Sequence, residues 1–452
     1  MLEFKKLKRV HMIGIKGTGM SGLALILHAL GIKVTGSDAS DSFLLINQNR
    51  FAKAGIIIAD DFSKNNIPKD ANAVIASSSH LIKNVEIREA RRLKIPILTY
   101  ADAVGLLSRK FSSIAICGSH GKTTTTNLLA HILQQAKIPV LPLAGPTSEQ
   151  VLDNLRREGF FIFEADEYQN KLKHYSPFGA ILTNIELDHP DYFKTTKQYE
   201  RIFSQFVRRV PPEGFLVYCA DDEAATRIAS KASCKKLGYG FSESADYSIR
   251  AVTDSDTATP FAIHNDDALL GVFRTPLLGT HNILNSAATA LAAKELGVKQ
   301  ENIQNGLLSF RGSPRRMEKV SDHPLIIDDY GHHPTEIKTT LRAVKTQYPD
   351  KKIIAVFHPH TYTRTKKFLK EFGAAFSDAD YVIVLDIFES REAGKQTITS
   401  KNVVDEIAKF KKDAYYCPTF ADAAKLLKGK LNDGTLLLTI GAGDVWRLHK
   451  ML

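Results

Sequence analysis

The segment Ile116–Asn127, "ICGSHGKTTTTN", constrains this chain more than any other stretch. It closes the apolar run "SSIAICG" and leads into the helical pattern "TTTTNLLAHILQQAK". A strand, a glycine turn with Gly-Lys-Thr-Thr and then a helix is the context in which backbone N–H groups cradle phosphate. The common phosphate loop places four residues between its first glycine and the Gly-Lys pair. Here only Ser119 and His120 separate Gly118 from Gly121 and Lys122. Gly118, Ser119, His120, Gly121, Lys122, Thr123 and Thr124 are expected to wrap a nucleotide's phosphates. Lys122 adds a point charge, and Thr123 is placed to ligate Mg2+. A simple capped helix start would require neither the lysine nor both glycines.

Around this loop the chain alternates strand and helix patterns, which gives an α/β fold. A length of 452 residues suggests about three domains. The first block, 1–105, opens with the strand "RVHMIGI" and reads as a Rossmann-like unit. The second, 106–313, carries the phosphate loop, the strands "FFIFEADE" and "GAILTNIELDH", and the helix "NILNSAATALAAKELG". The third, 314–452, alternates "PLIIDDYG", "PTEIKTTLRAVKTQY", "KKIIAVFHPH", the helix "RTKKFLKEFGAAF" and "YVIVLDIF".

Each block adds a candidate site at a strand end. In the first, Gly17, Gly19 and Gly22 form Gly-x-Gly-x-x-Gly between a strand and a helix, which speaks for a diphosphate. Asp38 closes the next strand in the place of a ribose-binding acid, the reading a nicotinamide oxidoreductase would give. In the second, Glu164, Asp166 and Glu167 end one strand, and Glu186, Asp188 and His189 another. Such carboxylates with one histidine suit Mg2+ better than zinc. His281, Asn282 and Asn285 begin a helix. The pair Arg315 and Arg316 could clamp phosphate oxygens. In the third, Asp328, Asp329, Tyr330, His332, His333, His358, His360 and Arg364 follow two strands without a spacing typical of zinc. Arg364 opposes a cation there and suits a carboxylate or phosphoryl oxygen.

Composition narrows the partners. The chain carries 60 Lys and Arg against 49 Asp and Glu, a net charge of +11. No long basic block or aromatic-interleaved stripe accompanies this charge, so small polyanions fit as well as nucleic acid. Four scattered cysteines suit a reducing cytoplasm. No apolar run approaches the ~20 residues of a membrane span. The basic, then apolar start is interrupted by Lys16 and glycines, unlike a signal peptide.

Taken in order, "GSHGKTTTT", "EADEY", "LTNIELDHPDYF", "HNILNSAA", "RRME", "DDYGHHPTEI" and "FHPHTYTRT" resemble the Mur ligases, and the resemblance covers nearly the whole chain. It implies an N-terminal Rossmann-like domain for a UDP-sugar, a central P-loop ATPase-like domain with a mixed sheet, and a C-terminal Rossmann-like domain that receives an amino acid. The implied enzyme is an ATP- and Mg2+-dependent ligase. It joins L-alanine to the lactyl carboxylate of UDP-N-acetylmuramate through an acyl phosphate, in the cytoplasm, for peptidoglycan synthesis. By the family's pattern Lys122 binds the β and γ phosphates, Thr123 and Glu164 hold one Mg2+, and His189 a second. His281 and Asn285 face adenine, with Asn282 near the phosphates. Arg315 or Arg316 reaches the phosphates, and Asp328 or Asp329 the ribose. Tyr330, His332, His360 and Arg364 surround the alanine. Gly17, Gly19 and Gly22 carry the UDP diphosphate, with Ser37, Asp38, Ser77, Ser78 and Ser79 close to the UDP-sugar. Many members have Arg where this chain has Thr361, so a second cation on the alanine carboxylate is missing. A sister ligase that attaches murein tripeptide to the same sugar is the alternative. Its counterpart of "DDYGHHPTEI" usually has Phe-Ala where this chain has Tyr330 and Gly331, which favours alanine.

Overall fold

The first sheet is built on strands whose side chains are buried on both faces. The computed structural model describes residues 3–40, 43, 45–78, 83–145, 158–252, 258–390, 392, 397–410 and 413–452. Strands β1 (Arg9–Ile13), β2 (Lys33–Ser37), β3 (Ile57–Ala59), β4 (Ala73–Ala76) and β5 (Ile97–Thr99) pair in parallel, in the order β3-β2-β1-β4-β5. The central strands β1 and β4 are almost wholly buried, as expected where crossover helices cover both faces. The helix Thr18–Ala29 follows β1 from an N-cap at Gly17. The helix Tyr100–Lys110 runs through residue 105 and closes this block.

The contacts divide the chain into two units. The first comprises Met1–Glu186, Lys197–Arg274 and Leu284–Phe310; the second comprises Leu187–Thr196, Thr275–Ile283 and Arg311–Leu452. Besides the first sheet, the first unit contains β6 (Ser113–Cys117), β7 (Val140–Leu143), β8 (Phe160–Glu164), β9 (Gly179–Leu182), β10 (Phe215–Cys219), β11 (Lys235–Gly240), β12 (Tyr247–Ala251) and β13 (Thr259–Asn265). With β14 (Ala268–Thr275) they form a nine-stranded mixed sheet in the order β14-β13-β12-β11-β10-β9-β6-β8-β7. Pairing is parallel from β7 to β12 and antiparallel between β12 and β13. The helix Lys122–Gln135 leaves β6 and is buried from Thr123 through Leu133. It packs against the helix Gln300–Ser309, where Gly306 leaves room for Ile132.

The second unit holds β15 (Glu318–Asp322), β16 (Leu325–Asp329), β17 (Lys352–Phe357), β18 (Tyr381–Val384), β19 (Ala414–Tyr416) and β20 (Thr435–Ile440). They run in the order β15-β16-β20-β17-β18-β19, with β15 antiparallel and the rest parallel. Its core splits by the period-2 rule. Ile353, Ala355 and Phe357 join Leu436, Leu438 and Ile440 on one face, while Ile354 and Val356 join Ile383 and Leu437 on the other. The single helix expected from "RTKKFLKEFGAAF" is two, Tyr362–Lys367 and Leu369–Ala375. The break at Phe368 (φ −109°, ψ 24°) coincides with that side chain entering the core, its ring 4.6 Å from that of His333.

One buried carboxylate pins the first sheet. Glu86, fully buried, accepts hydrogen bonds from Ser37 Oγ, Asn66 Nδ2 (2.8 Å) and Ser63 N (3.1 Å), with His11 Nε2 at 3.4 Å. Burial works to raise its carboxyl, but the hydrogen bonds from His11, Ser37 and Asn66 outweigh it and hold the group below its ordinary 4.5. A depressed folded value contributes stability above the unfolded value, and that stability is lost as pH falls through the folded one. Glu86→Gln should therefore cost about 1–3 kcal/mol at neutral pH. It should also flatten the loss of stability on acidification below pH 4.5. Urea unfolding at pH 7 and pH 4 measures both, and parallel pH dependence in the two proteins would refute the role.

Candidate active site

The short phosphate loop is completed by the segment after β9. Gly118 (φ 129°) and Gly121 (φ 82°) occupy the left-handed region that a side chain disfavours. A Cβ on Gly118 would fall 2.2 Å from Thr183 Oγ1, and one on Gly121 2.6 Å from Asn285 Oδ1. Ser119 Oγ donates to Glu186 O (2.7 Å) and accepts from Glu186 N (2.8 Å). His120 N donates to Asn184 Oδ1 (2.9 Å), while Thr183 Oγ1 and Asn184 Nδ2 donate to His120 O. The His120 ring lies 2.9 Å from the Glu186 carboxylate. His120, matched to the family's pattern but given no role of its own, is thus a splice between the loop and the neighbouring strand end.

Acidic groups surround the loop's lysine. Lys122 Nζ donates to the carbonyls of Gly118 (2.6 Å) and Ser119 (2.9 Å) and lies 3.0 Å from Glu167 Oε2. Burial alone would lower its pKa, but Glu167, Glu164 and Asp166 reverse that and keep the ammonium charged. Thr123 Oγ1 and Gly145 N both donate to Glu164 Oε2, each at 2.9 Å.

Beside Glu164 lies a cavity of about 280 Å³. One wall is the glycine turn Gly17–Met20 with Ser77 and Ser78; the other is Gly145, Glu164, Asp166 and Lys171, with Tyr100 between them. Gly19 and Gly22 lie at close approaches. A Cβ on Gly19 would meet the Tyr100 ring at 3.2 Å, and one on Gly22 would meet Leu143 Cδ1 at 3.1 Å. Gly22 therefore serves helix packing and does not line the cavity. Ser37 and Asp38, at the carboxyl end of β2, are also hydrogen-bonded within the first sheet. Ser37 is bound to Glu86, and Asp38 accepts from Lys16 N (2.9 Å) and Ser40 N (3.0 Å). Ser79 lies outside the described residues.

In the second unit the predicted amino-acid residues meet around a buried ion pair. Arg364 is 2% exposed, and its Nε and Nη2 donate to Asp188 Oδ1 at 3.1 and 2.8 Å. Its Nη1 lies 2.9 Å from His360 Nδ1. Burial opposes ionisation of Asp188, but the Arg364 guanidinium beside it holds its carboxyl well below the usual range. His332 Nδ1 lies 3.1 Å from Tyr330 O, and burial together with Arg364 pushes this histidine down to about 4, so it is neutral. His189 has a left-handed φ of 53°, with its N donating to Asp188 Oδ1 at 2.6 Å. Thr361, also left-handed, starts the helix that carries Arg364.

The adjacent pairs separate in the same unit. Arg315 is buried and spent: Nε donates to Asp328 Oδ2 (2.8 Å), Nη1 to Gly443 O (2.8 Å) and Nη2 to Gly441 O (2.7 Å). Arg316 lies 3.7 Å from Glu336 with its side chain 24% exposed, and the Tyr330 ring sits about 5 Å from both guanidinium groups. Asp328 also accepts from Thr439 Oγ1 (2.7 Å). Asp329 accepts from Met317 N and Gly331 N, and burial raises it to about 6. His281 and Asn282 belong to this unit, where Asn282 Nδ2 donates to Leu278 O (2.8 Å). Asn285 belongs to the first unit, against the loop. Sequence reasoning passed over Asn184 and Tyr199 and left Asp188 without a role apart from its metal cluster. Tyr199 OH lies 3.0 Å from Ser119 Oγ and donates to Glu167 (3.1 Å), but nothing in the sequence around it marks that position.

Comparison with known proteins covers nearly the whole chain. Three family models match in succession: "Mur ligase family, catalytic domain" over residues 9–112, "Mur ligase middle domain" over 116–293 and "Mur ligase, glutamate ligase domain" over 315–443. A UDP-N-acetylmuramate–L-alanine ligase of Caldanaerobacter subterraneus is 37% identical over 99% of this chain and 97% of its own. The crystal structure of UDP-N-acetylmuramate-alanine ligase from Thermotoga maritima superposes with a TM-score of 0.82 at 25% identity, covering 98% of this chain and 97% of that one. A murein peptide ligase from Psychrobacter arcticus shares the fold, with a TM-score of 0.73 at 24% identity over 98% and 97% of the two chains. Three family models in succession and a relative 37% identical over 99% of the chain carry the conclusion: the chain belongs to the Mur ligase family.

Proposed function

We propose that this chain is the ATP-dependent ligase that joins L-alanine to the lactyl carboxylate of UDP-N-acetylmuramate, releasing ADP and phosphate, in cytoplasmic peptidoglycan precursor synthesis. The observation that carries the reading is the 280 Å³ cavity in which the glycine turn of the first sheet faces Glu164, itself bonded to Thr123 of the phosphate loop. A UDP-sugar held by its diphosphate on Gly17 and Gly19, near Ser77 and Ser78, would bring its carboxylate towards the phosphate loop. The amino acid is named from relatives that are alanine ligases by name at 37% identity over the full chain. We assign 1–105 to the sugar, 106–313 to ATP and 314–452 to the amino acid. The nicotinamide reading accounts for the glycine turn and Asp38 but leaves the phosphate loop Gly118–Thr123 without a use.

In this reading a carboxylate oxygen of the sugar attacks the γ-phosphorus, and the bond to ADP breaks. The amine of alanine then attacks the acyl carbon of the acyl phosphate. A C–N bond forms, phosphate leaves and the amine loses a proton. Little covalent help is needed, so charge and position dominate. Lys122, kept charged by its acidic neighbours, neutralises phosphate charge. The hard oxygens of Thr123 and Glu164 suit Mg2+, with His189 proposed for a second ion. When bound, Mg2+ supplies charge neutralisation on the phosphates. Arg316, partly exposed, is preferred for phosphate over Arg315, whose guanidinium is spent on Asp328 and two carbonyls, and Asp328 or Asp329 is assigned to the ribose. His281 and Asn285 are assigned to adenine and Asn282 to the phosphates. Tyr330, His332, His360 and Arg364 are assigned to alanine, whose carboxylate must replace Asp188 on Arg364.

Phosphate release should require UDP-N-acetylmuramate and L-alanine together, and murein tripeptide should not substitute; equal turnover without the sugar would count against the reading. Lys122→Ala should lower turnover more than about 100-fold, as at other sites that lose a key charge-stabilising donor. Arg364→Ala should raise KM for alanine far more than KM for ATP, and a reversed pattern would move Arg364 to the nucleotide.

A further inference from the structure

A cavity of about 540 Å³ opens in the second unit at the carboxyl ends of β17, β18 and β20. His358 follows β17, Asp386, Phe388 and Glu389 follow β18, and Asp444 follows β20; Phe420 completes the wall. Open parallel sheets receive ligands at these strand ends. None of the six residues has a part in the ligase chemistry above.

The lining is anionic and aromatic in a chain of net charge +11. Asp386 accepts one hydrogen bond from Tyr416 OH (2.6 Å) and Glu389 one from Tyr362 OH (2.9 Å); both donors are neutral, and neither acid has an ion-pair partner among the described residues. Asp444 has Arg447 at 3.0 Å. The floor is His358, 7% exposed and held neutral, because burial pushes it down to about 4. Its Nδ1 is buried without a hydrogen-bond partner, and Asp444 Oδ1 at 3.7 Å is beyond reach. The rings of Phe388 and Phe420 stand edge-on to it, 5.5 and 5.6 Å away. Carboxylates beside aromatic faces recognise ammonium groups. A divalent metal needs converging oxygens. Among the described residues, the His, Asp and Glu groups whose ligand atoms gather within 4.8 Å do not include these.

We infer that this cavity binds a small organic di- or polycation, with its ammonium groups on Asp386 and Glu389 and its chain over Phe388 and Phe420. The occupant sits one ring from the residues assigned to alanine, since Phe388 also stacks on His360 at 5.8 Å.

Trp446, the chain's one tryptophan, follows Asp444 by two residues, so its fluorescence is followed beside calorimetry. Spermidine titrated into the full chain, followed by Trp446 fluorescence and calorimetry, should give a saturable one-site curve. The double variant Asp386→Asn/Glu389→Gln should weaken it at least ~10-fold, in keeping with the loss of two charge-assisted hydrogen bonds. The control Glu223→Gln/Asp433→Asn removes two acids whose side chains are 97% and 94% exposed, and should leave the affinity unchanged. No saturable binding, or equal weakening in both double variants, would overturn the site. Displacement of spermidine by stoichiometric Mg2+ would overturn the organic-cation assignment. These readouts are independent of ligase turnover.

Discussion

The site depends on the hydrogen-bonded splice between the phosphate loop and the segment after β9. The loop has only Ser119 and His120 between its first glycine and the Gly-Lys pair, and its polar groups bond to the neighbouring segment. Thr183, Asn184 and Glu186 supply the missing wall, bonding to Ser119 and to both the N–H and the carbonyl of His120. The two glycines are then forced by space as well as by dihedral angle, because Thr183 and Asn285 stand where their side chains would go. Fixing the loop fixes Lys122 and Thr123, and through Thr123 the carboxylate of Glu164.

The second unit relies on a different balance. Placing Arg364 and Asp188 together in a nearly dry environment costs desolvation that their attraction only partly offsets. Such a pair contributes little net stability, yet removing one partner leaves a buried charge exposed to its full penalty. A guanidinium held this way is already oriented for a carboxylate, and the acid that occupies it precedes His189 in the chain.

Much of this was legible in the sequence. The strand–loop–helix context of Gly118–Thr123, the acidic end of β8 and the histidine-rich ends of β16 and β17 all follow from local pattern, because strand ends carry the chemistry in α/β folds. The strands β12, β13 and β14 were missed, although "TPFAIHN" and "ALLGVFRT" flank the turn Asp266–Asp267, with Asp266 left-handed at φ 51°. Choosing between Arg315 and Arg316 was beyond sequence, since the difference lies in carbonyls of Gly441 and Gly443 more than 120 residues away. Glu86 was invisible for the same reason: its donors come from three separate segments.

The glycine at position 22 has a consequence beyond its motif. It lets the helix of the first sheet rest directly on Leu143 of the central sheet, 3.1 Å from where a side chain would begin. That contact ties the helix after the glycine turn to the strand that leads into Gly145, so two parts of the cavity lining share one spacer. A methyl group there would ask Leu143 or the helix to give by a few tenths of an ångström, and on the proposed function a sugar lying in the cavity would feel that shift.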